Sequence, residues 1–161
     1  MRGKLIALVV LVFALGLVAL SAVGGTLYWD RVQTRAVQAA TAELPTLATQ
    51  QIPRVFGYDY QTVERSLTEA ATMLTPDYRR EFEDRAAKDI IPAARDRQVV
   101  SQANVVGAGM LNAQRDSASV LVFMNRTVTD KSKQPVYDGS RLRVDYQKVG
   151  GQWLIKYIQP V

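Results

Sequence analysis

Residues 141–158 read RLRVDYQKVGGQWLIKYI. Leu142, Val144 and Tyr146 alternate with Arg141, Arg143, Asp145 and Gln147, the period-two pattern of a strand with one buried face. Gly150-Gly151 is a two-residue hairpin signal, because a tight turn between strands needs left-handed backbone that glycine adopts without cost. The reading predicts a strand to Val149, a turn, and a returning strand from Gln152 to Ile158. With a two-residue turn Val149 faces Gln152, Tyr146 faces Ile155 and Val144 faces Tyr157 on the covered side. Asp145 meets Lys156 on the opposite side, a favourable cross-strand pair. Val149, Leu154 and Ile158 then also fall on that opposite side.

Two more strands precede the hairpin. Gln98 to Leu111 is rich in small and β-branched residues, with Gly107 and Gly109 as bulge or bend positions. After a polar turn at Asn112 to Asp116, Ser117 to Val128 (SASVLVFMNRTV) forms the next strand, and Asp130 to Pro135 is a loop. Val120 to Met124 is apolar on both faces. The second face of the sheet is therefore expected to be covered by an extra segment, a second copy of the chain or a partner protein. Val149, Leu154 and Ile158 are the candidate interface.

Upstream the period is helical. Val63, Leu67, Ala70/Ala71 and Leu74 line one face of a helix over Tyr60 to Leu74, with Asp59 as its cap. Thr75-Pro76-Asp77 restarts a helix to about Lys88, with threonine at the N-cap, proline at the first helical position, and Tyr78, Phe82 and Ala86 on one face. Ile90-Ile91-Pro92 ends or bends it. Asp30 to Glu43 favours helix. Leu44 to Arg54, interrupted by Pro45 and Pro53, reads as a broken helix or a connector. Helices first and strands after give an α+β class: two or three helices on a curved, four-stranded antiparallel sheet.

Leu5 to Trp29 (LIALVVLVFALGLVALSAVGGTLYW) is twenty-five residues without a charge. At ~1.5 Å per residue a helix of this length spans roughly 37 Å, enough to cross a ~30 Å hydrocarbon core. The run outlasts the ~7–15 residues of a signal-peptide core and ends in Tyr28-Trp29, which suit the headgroup layer. It reads as an uncleaved anchor. Arg2 and Lys4 place residues 1–4 in the cytoplasm by the positive-inside rule. Residues 5–29 would span, 30–57 would form a membrane-proximal helix and connector, and 58–161 an extracytoplasmic domain.

The 161 residues contain neither histidine nor cysteine. Imidazole-based metal hydrolysis, a Ser-His-Asp triad, a Cys-His dyad, a disulfide framework and a lipidated cysteine are all excluded. The formal charge is +5; setting aside Arg2 and Lys4 leaves 18 basic against 15 acidic residues. These are well mixed, with no basic stripe interleaved with aromatics, so nucleic acid is not an expected partner. No cofactor is expected.

Phe56-Gly57-Tyr58-Asp59-Tyr60 opens the first helix after the connector. Leu74-Thr75-Pro76-Asp77-Tyr78 with Phe82 opens the next, and VLVFMNRTVT (Val120 to Thr129) and the closing pair Arg141 to Val161 with Trp153 follow. In this order the chain resembles the actinobacterial membrane proteins associated with Mce, mammalian cell entry. The resemblance runs from the anchor to the end and is firmest from Tyr58. It implies a single-pass protein with the cone of nuclear transport factor two-like folds, and likeness to the periplasmic domain of the inner-membrane assembly factor of type IV secretion systems. It further implies a non-catalytic accessory subunit that stabilises an Mce-type complex importing fatty acids or sterols, with Mce proteins and the associated permease as partners. Leu44-Pro45 and Ile52-Pro53 depart from the smooth helical connector of that family.

A second function class is a small-molecule or lipid site inside the cone, lined by Phe82, Val144 and Tyr157. Its enzymatic form would resemble a ketosteroid isomerase, with Tyr58, Tyr60, Tyr78, Tyr146 or Tyr157 as the phenol. The candidate bases have structural roles: Asp145 sits beside Arg141 and Arg143, Asp59 reads as a cap, and Glu64 and Glu69 flank an apolar stripe. A non-enzymatic assembly role is the expected function, and a cone filled by its own side chains would favour it.

Overall fold

The computed structural model describes residues 31–161; the membrane span expected at Leu5 to Trp29 and the four-residue tail lie outside them. Among the described residues no helix is long and apolar enough to cross a membrane. Residues 31–38 belong to one compact unit and Ala39–Val161 form the other.

Helix α1 covers residues 31–56. Leu44 to Arg54 is thus neither a break nor a connector. Ala40, Leu44, Ala48, Ile52 and Val55 recur every three or four residues and are all buried in the core. Burying each large aliphatic contributes roughly 1.5–3 kcal/mol. Together they are of the size needed to offset the ~3 kcal/mol that each of the two prolines costs inside a helix.

The remaining elements are β1 (Tyr58–Asp59), α2 (Val63–Ala71), α3 (Pro76–Arg85), a π-turn (Ala86–Ile90), α4 (Ile91–Arg97), β2 (Val100–Ala113), β3 (Ser117–Thr129), β4 (Val136–Val149) and β5 (Gln152–Pro160). Val63, Leu67, Ala70, Ala71 and Leu74 are buried, as are Tyr78, Phe82 and Ala86, so both helical faces lie where the periodicity placed them. Thr75 precedes Pro76 in extended conformation but makes no side-chain cap bond. Asp59 does not cap α2. It pairs with Val100 in β1, and its carboxylate accepts from the Gln61 N–H at 2.8 Å. Pro92 bends rather than ends the third helix: the Ile91 N–H reaches back five residues to the Ala86 carbonyl, the π-turn spacing. The helix finally stops at Gln98, whose left-handed backbone (φ 53°) closes α4.

The sheet has five strands, not four, in the order β1-β2-β3-β4-β5, each antiparallel to its neighbour. The extra strand is the two-residue β1, too short for alternation to reveal. Gly150 (φ 58°) and Gly151 (φ 85°) form the β4–β5 turn, with Val149 opposite Gln152 and Tyr146 opposite Ile155. The register then shifts. Asp145 faces Tyr157, and Val144 faces Ile158, so the expected pairs Val144–Tyr157 and Asp145–Lys156 do not form. A bulge at Lys156 absorbs one residue, next to where Ile155 is engaged on its other edge. Its N–H donates to the Met73 carbonyl and its carbonyl accepts from the Thr75 N–H, each at 2.9 Å. Two further bulges lie in β2, at Val106 beside Gly107 and at Leu111, not at Gly109.

The helices cover one face of the sheet. Val120, Val122, Val144, Tyr146 and Ile155 pack there with Leu44, Ile52, Val63 and Leu74, each at most 1% exposed. The inner face is filled by side chains. Phe82 lines a surface groove of about 200 Å³ with Leu67, Ala86 and Ile91, while Tyr157 lies at the β5 edge against Tyr78. Phe82, Val144 and Tyr157 therefore do not enclose a common chamber.

The Tyr146 hydroxyl is buried in this core without a hydrogen-bond partner, which costs about 1–3 kcal/mol. Burial also raises its pKa well above the ordinary phenol range. The stability tied to the neutral phenol is intact below its unfolded pKa of about 10 and is lost as pH rises beyond it. Tyr146→Phe is expected to raise stability by about 1 kcal/mol at neutral pH. It should also flatten the loss above pH 10; urea titrations at pH 7 and above 10 measure both.

The open face of the sheet

The face away from the helices is built by strict alternation and by the three bulges. Each bulge adds a residue on this side: Val106 beside Gly107, Leu111 beside Asn112, and Lys156 beside Tyr157. Re-aiming side chains in this way is what a bulge does to a strand. The result is a face with Val106 60% exposed, Leu111 53% and Phe123 41%, next to half-buried Leu121.

The expected interface residues divide. Val149 is 40% exposed and Leu154, opposite Gln147, is half-buried on the open face. Ile158 is not there. The Lys156 bulge turns it to the helix side, opposite Val144, where it packs against the core. Charge at Ile158 would therefore test folding, not assembly. Val149 lines a groove of about 320 Å³ with Pro76, Tyr78, Glu81, Lys156 and Tyr157. Tyr78 and Tyr157 stack there at 5.6 Å between ring centres, tilted by 60°. That geometry suits two aromatic quadrupoles.

The candidate bases are dispersed. Asp145 accepts from the Ser119 hydroxyl at 2.5 Å and from Arg143 Nε at 2.9 Å. Arg143 also donates to Ser119 Oγ at 3.3 Å. This triangle holds Asp145 as a partnered carboxylate at the centre of the open face, where Ser119 is buried and Arg143 half-exposed. Glu64 pairs with Arg95 at 3.0 Å on the helical side. Glu69 is exposed on α2. Asp145 lines a groove of about 290 Å³ with Tyr157, whose ring is exposed, while the Tyr146 hydroxyl is buried in the core.

Reading the strands missed Val106, because a bulge residue breaks the alternation that assigns a face. The available signal was the pair of glycines in Gly107-Ala108-Gly109, which marks a strand interrupted or closely approached.

A model of the family described as "Uncharacterized protein Rv1363c/MT1408-like" matches residues 4–160. The chain is 30% identical over 143 residues to "Outer membrane protein Rv1973" of Mycobacterium tuberculosis (strain ATCC 25618 / H37Rv), covering 89% of each. It is 31% identical over 108 residues to "Uncharacterized protein Rv1362c" of the same strain, covering 66% of this chain and 49% of that one. Among solved structures it is similar to the periplasmic domain of DotI, with a TM-score of 0.64 at 12% identity over 74% of this chain and 94% of that one. An IcmL-like type IV secretion system protein from Legionella pneumophila gives 0.64 at 10% identity, over 74% and 91%. VirB8 of Agrobacterium tumefaciens gives 0.54 at 12% identity, over 69% and 84%. The shared feature is the fold: helices on one face of a curved antiparallel sheet.

Proposed function

We propose that this chain, which belongs to the Rv1363c/MT1408-like family, is a non-catalytic, membrane-anchored assembly subunit of a multi-protein complex in the cell envelope. One observation carries the reading. The inner face of the sheet is filled by its own side chains, while the opposite face leaves Val106 and Phe123 in the open. A filled interior offers a lipid or sterol little volume, whereas an apolar open face is what a protein partner covers. The name of the relative Rv1973, an outer membrane protein, and the periplasmic domains of like fold support an envelope location.

In its finer form the partner is an Mce-type lipid import complex with its permease, a reading supported by the ordered resemblance from Phe56 to Val161. The likeness of fold to DotI and VirB8 favours a second form, an assembly factor of a secretion-like system. In both, residues 5–29 anchor the chain with its amino terminus in the cytoplasm and residues 58–161 outside. Detergent extraction of the full-length protein from its native membranes, followed by identification of co-purifying subunits, tests the reading. Mce or permease subunits would support the first form and secretion components the second. A protein that consistently purifies without partners would overturn both. Retention of residues 5–29 at the amino terminus of the mature protein, read by mass spectrometry, would establish that the anchor is not cleaved.

A further inference from the structure

We infer that the open face across β2, β3 and β4 seats a carboxylate-bearing, apolar segment of another envelope protein, over Phe123 and against Arg141. The inference rests on the assembly reading and names where and by what chemistry the partner is held. Val106, Phe123, Gly139 and Arg141 line a hollow of about 370 Å³ on this face. Its apolar floor is exposed, and a stable interface would bury it.

The charge on the face selects the partner. Arg141 lines the hollow, and Arg143 and Lys156 line a neighbouring groove of the face together with Asp145. Asp145 is shared between Ser119 and Arg143. Among the described residues the side chains of Arg141 and Lys156 have no ion-pair or hydrogen-bond partner. A recess of net positive charge around an aromatic ring is complementary to Asp or Glu beside an aliphatic or aromatic side chain. Of the four α3 carboxylates that a second copy of this chain could offer, Asp77, Glu81 and Asp84 are already paired with Arg80, Arg85 and Lys88, which leaves Glu83.

Three glycines surround Phe123 on the neighbouring strands. Gly107 and Gly109 on β2 and Gly139 on β4 stand opposite Phe123, Leu121 and Asn125. None of the three has the left-handed backbone that favours glycine, unlike Gly150 and Gly151. A side chain at Gly109 would meet nothing within 4 Å, and one at Gly139 only the Asn125 Oδ1 at 3.6 Å. Strand glycines weaken a sheet. Here they leave it low enough for another chain to lie against Phe123.

The test places a photo-crosslinking amino acid at position 123 of the full-length protein in its native membranes and sequences the joined peptide. The expected product is a peptide of another envelope protein with Asp or Glu next to an apolar residue. Its yield should fall about tenfold in Arg141→Glu and in Gly109→Val, an effect of the size of one interface hot spot. Both variants should melt at or above the temperature of the parent, since neither position carries a folding contact. Crosslinking to a second copy of this chain, to lipid, or with a yield insensitive to both substitutions would overturn the inference. If subunits still co-purify but join at other positions, this site falls and the assembly reading stands. If nothing co-purifies and nothing joins, both fall.

Discussion

Leu44→Ala will cost the domain about 2–5 kcal/mol, the range for a large aliphatic removed from a packed core. Leu44 is fully buried, one helical turn from Ala40 and Ala48, in the stripe that α1 presses onto the sheet. A marginally stable domain has only ~5–15 kcal/mol in hand, so a shortened chain beginning at Tyr58 should not fold at all. Urea unfolding of the Leu44 variant, and circular dichroism of the shortened chain, measure the two outcomes. A shortened chain with native-like unfolding would show that α1 is an accessory to the domain and not part of its core.

Gly57→Ala is expected to lose about 1–3 kcal/mol, the cost of forcing extra volume into a packed site. A methyl group at Gly57 would stand 2.6 Å from the Pro53 carbonyl oxygen, and that oxygen already accepts the Gly57 N–H at 2.8 Å. Neither atom can give way without unwinding the last turn of α1. The same corner is tied to the sheet by the Ser101 hydroxyl, which donates to the Phe56 carbonyl at 2.7 Å. At about 2–4 °C per kcal/mol for a chain of this size, the loss is readable in a thermal scan. Gly109→Ala, where the methyl meets nothing, is the control that should hold or gain stability. Equal losses in both would mean that glycine is needed at Gly57 for a reason other than the Pro53 oxygen.

The helices were legible because burial follows the helical period: Val63, Leu67, Ala70 and Leu74 report their own face. The turn was legible because Gly150-Gly151 suits left-handed backbone better than any other pair. Register was legible only as far as the turn controls it. Past Ile155 it is set by Met73 and Thr75, eighty or more residues earlier, and a contact of that separation leaves no local mark. Helix α1 was obscured for the opposite reason. Pro45 and Pro53 are strong local signals, and they were overruled by tertiary packing of five apolar residues. The open face was legible in its apolarity, through Val120 to Met124, but not in its membership. One inserted residue at Lys156 moved Ile158 to the core, and another at Val106 added a residue that alternation would have hidden.

Neither rim of the sheet offers a long regular ladder to a further strand. Along β5 the rim is occupied at Ile155 by Met73 to Thr75, with the Tyr78 ring next to it against Tyr157. Among the described residues only Val100 and Ser101 of β2 have an outer strand, but the two bulges interrupt the remaining ladder, a known deterrent to strand addition. Growth by adding one sheet to the next is disfavoured at both. Whatever this domain joins must be met through a face, and a face is used up once covered. Complexes built this way have a countable number of subunits, as an assembly of defined size requires and a fibre does not.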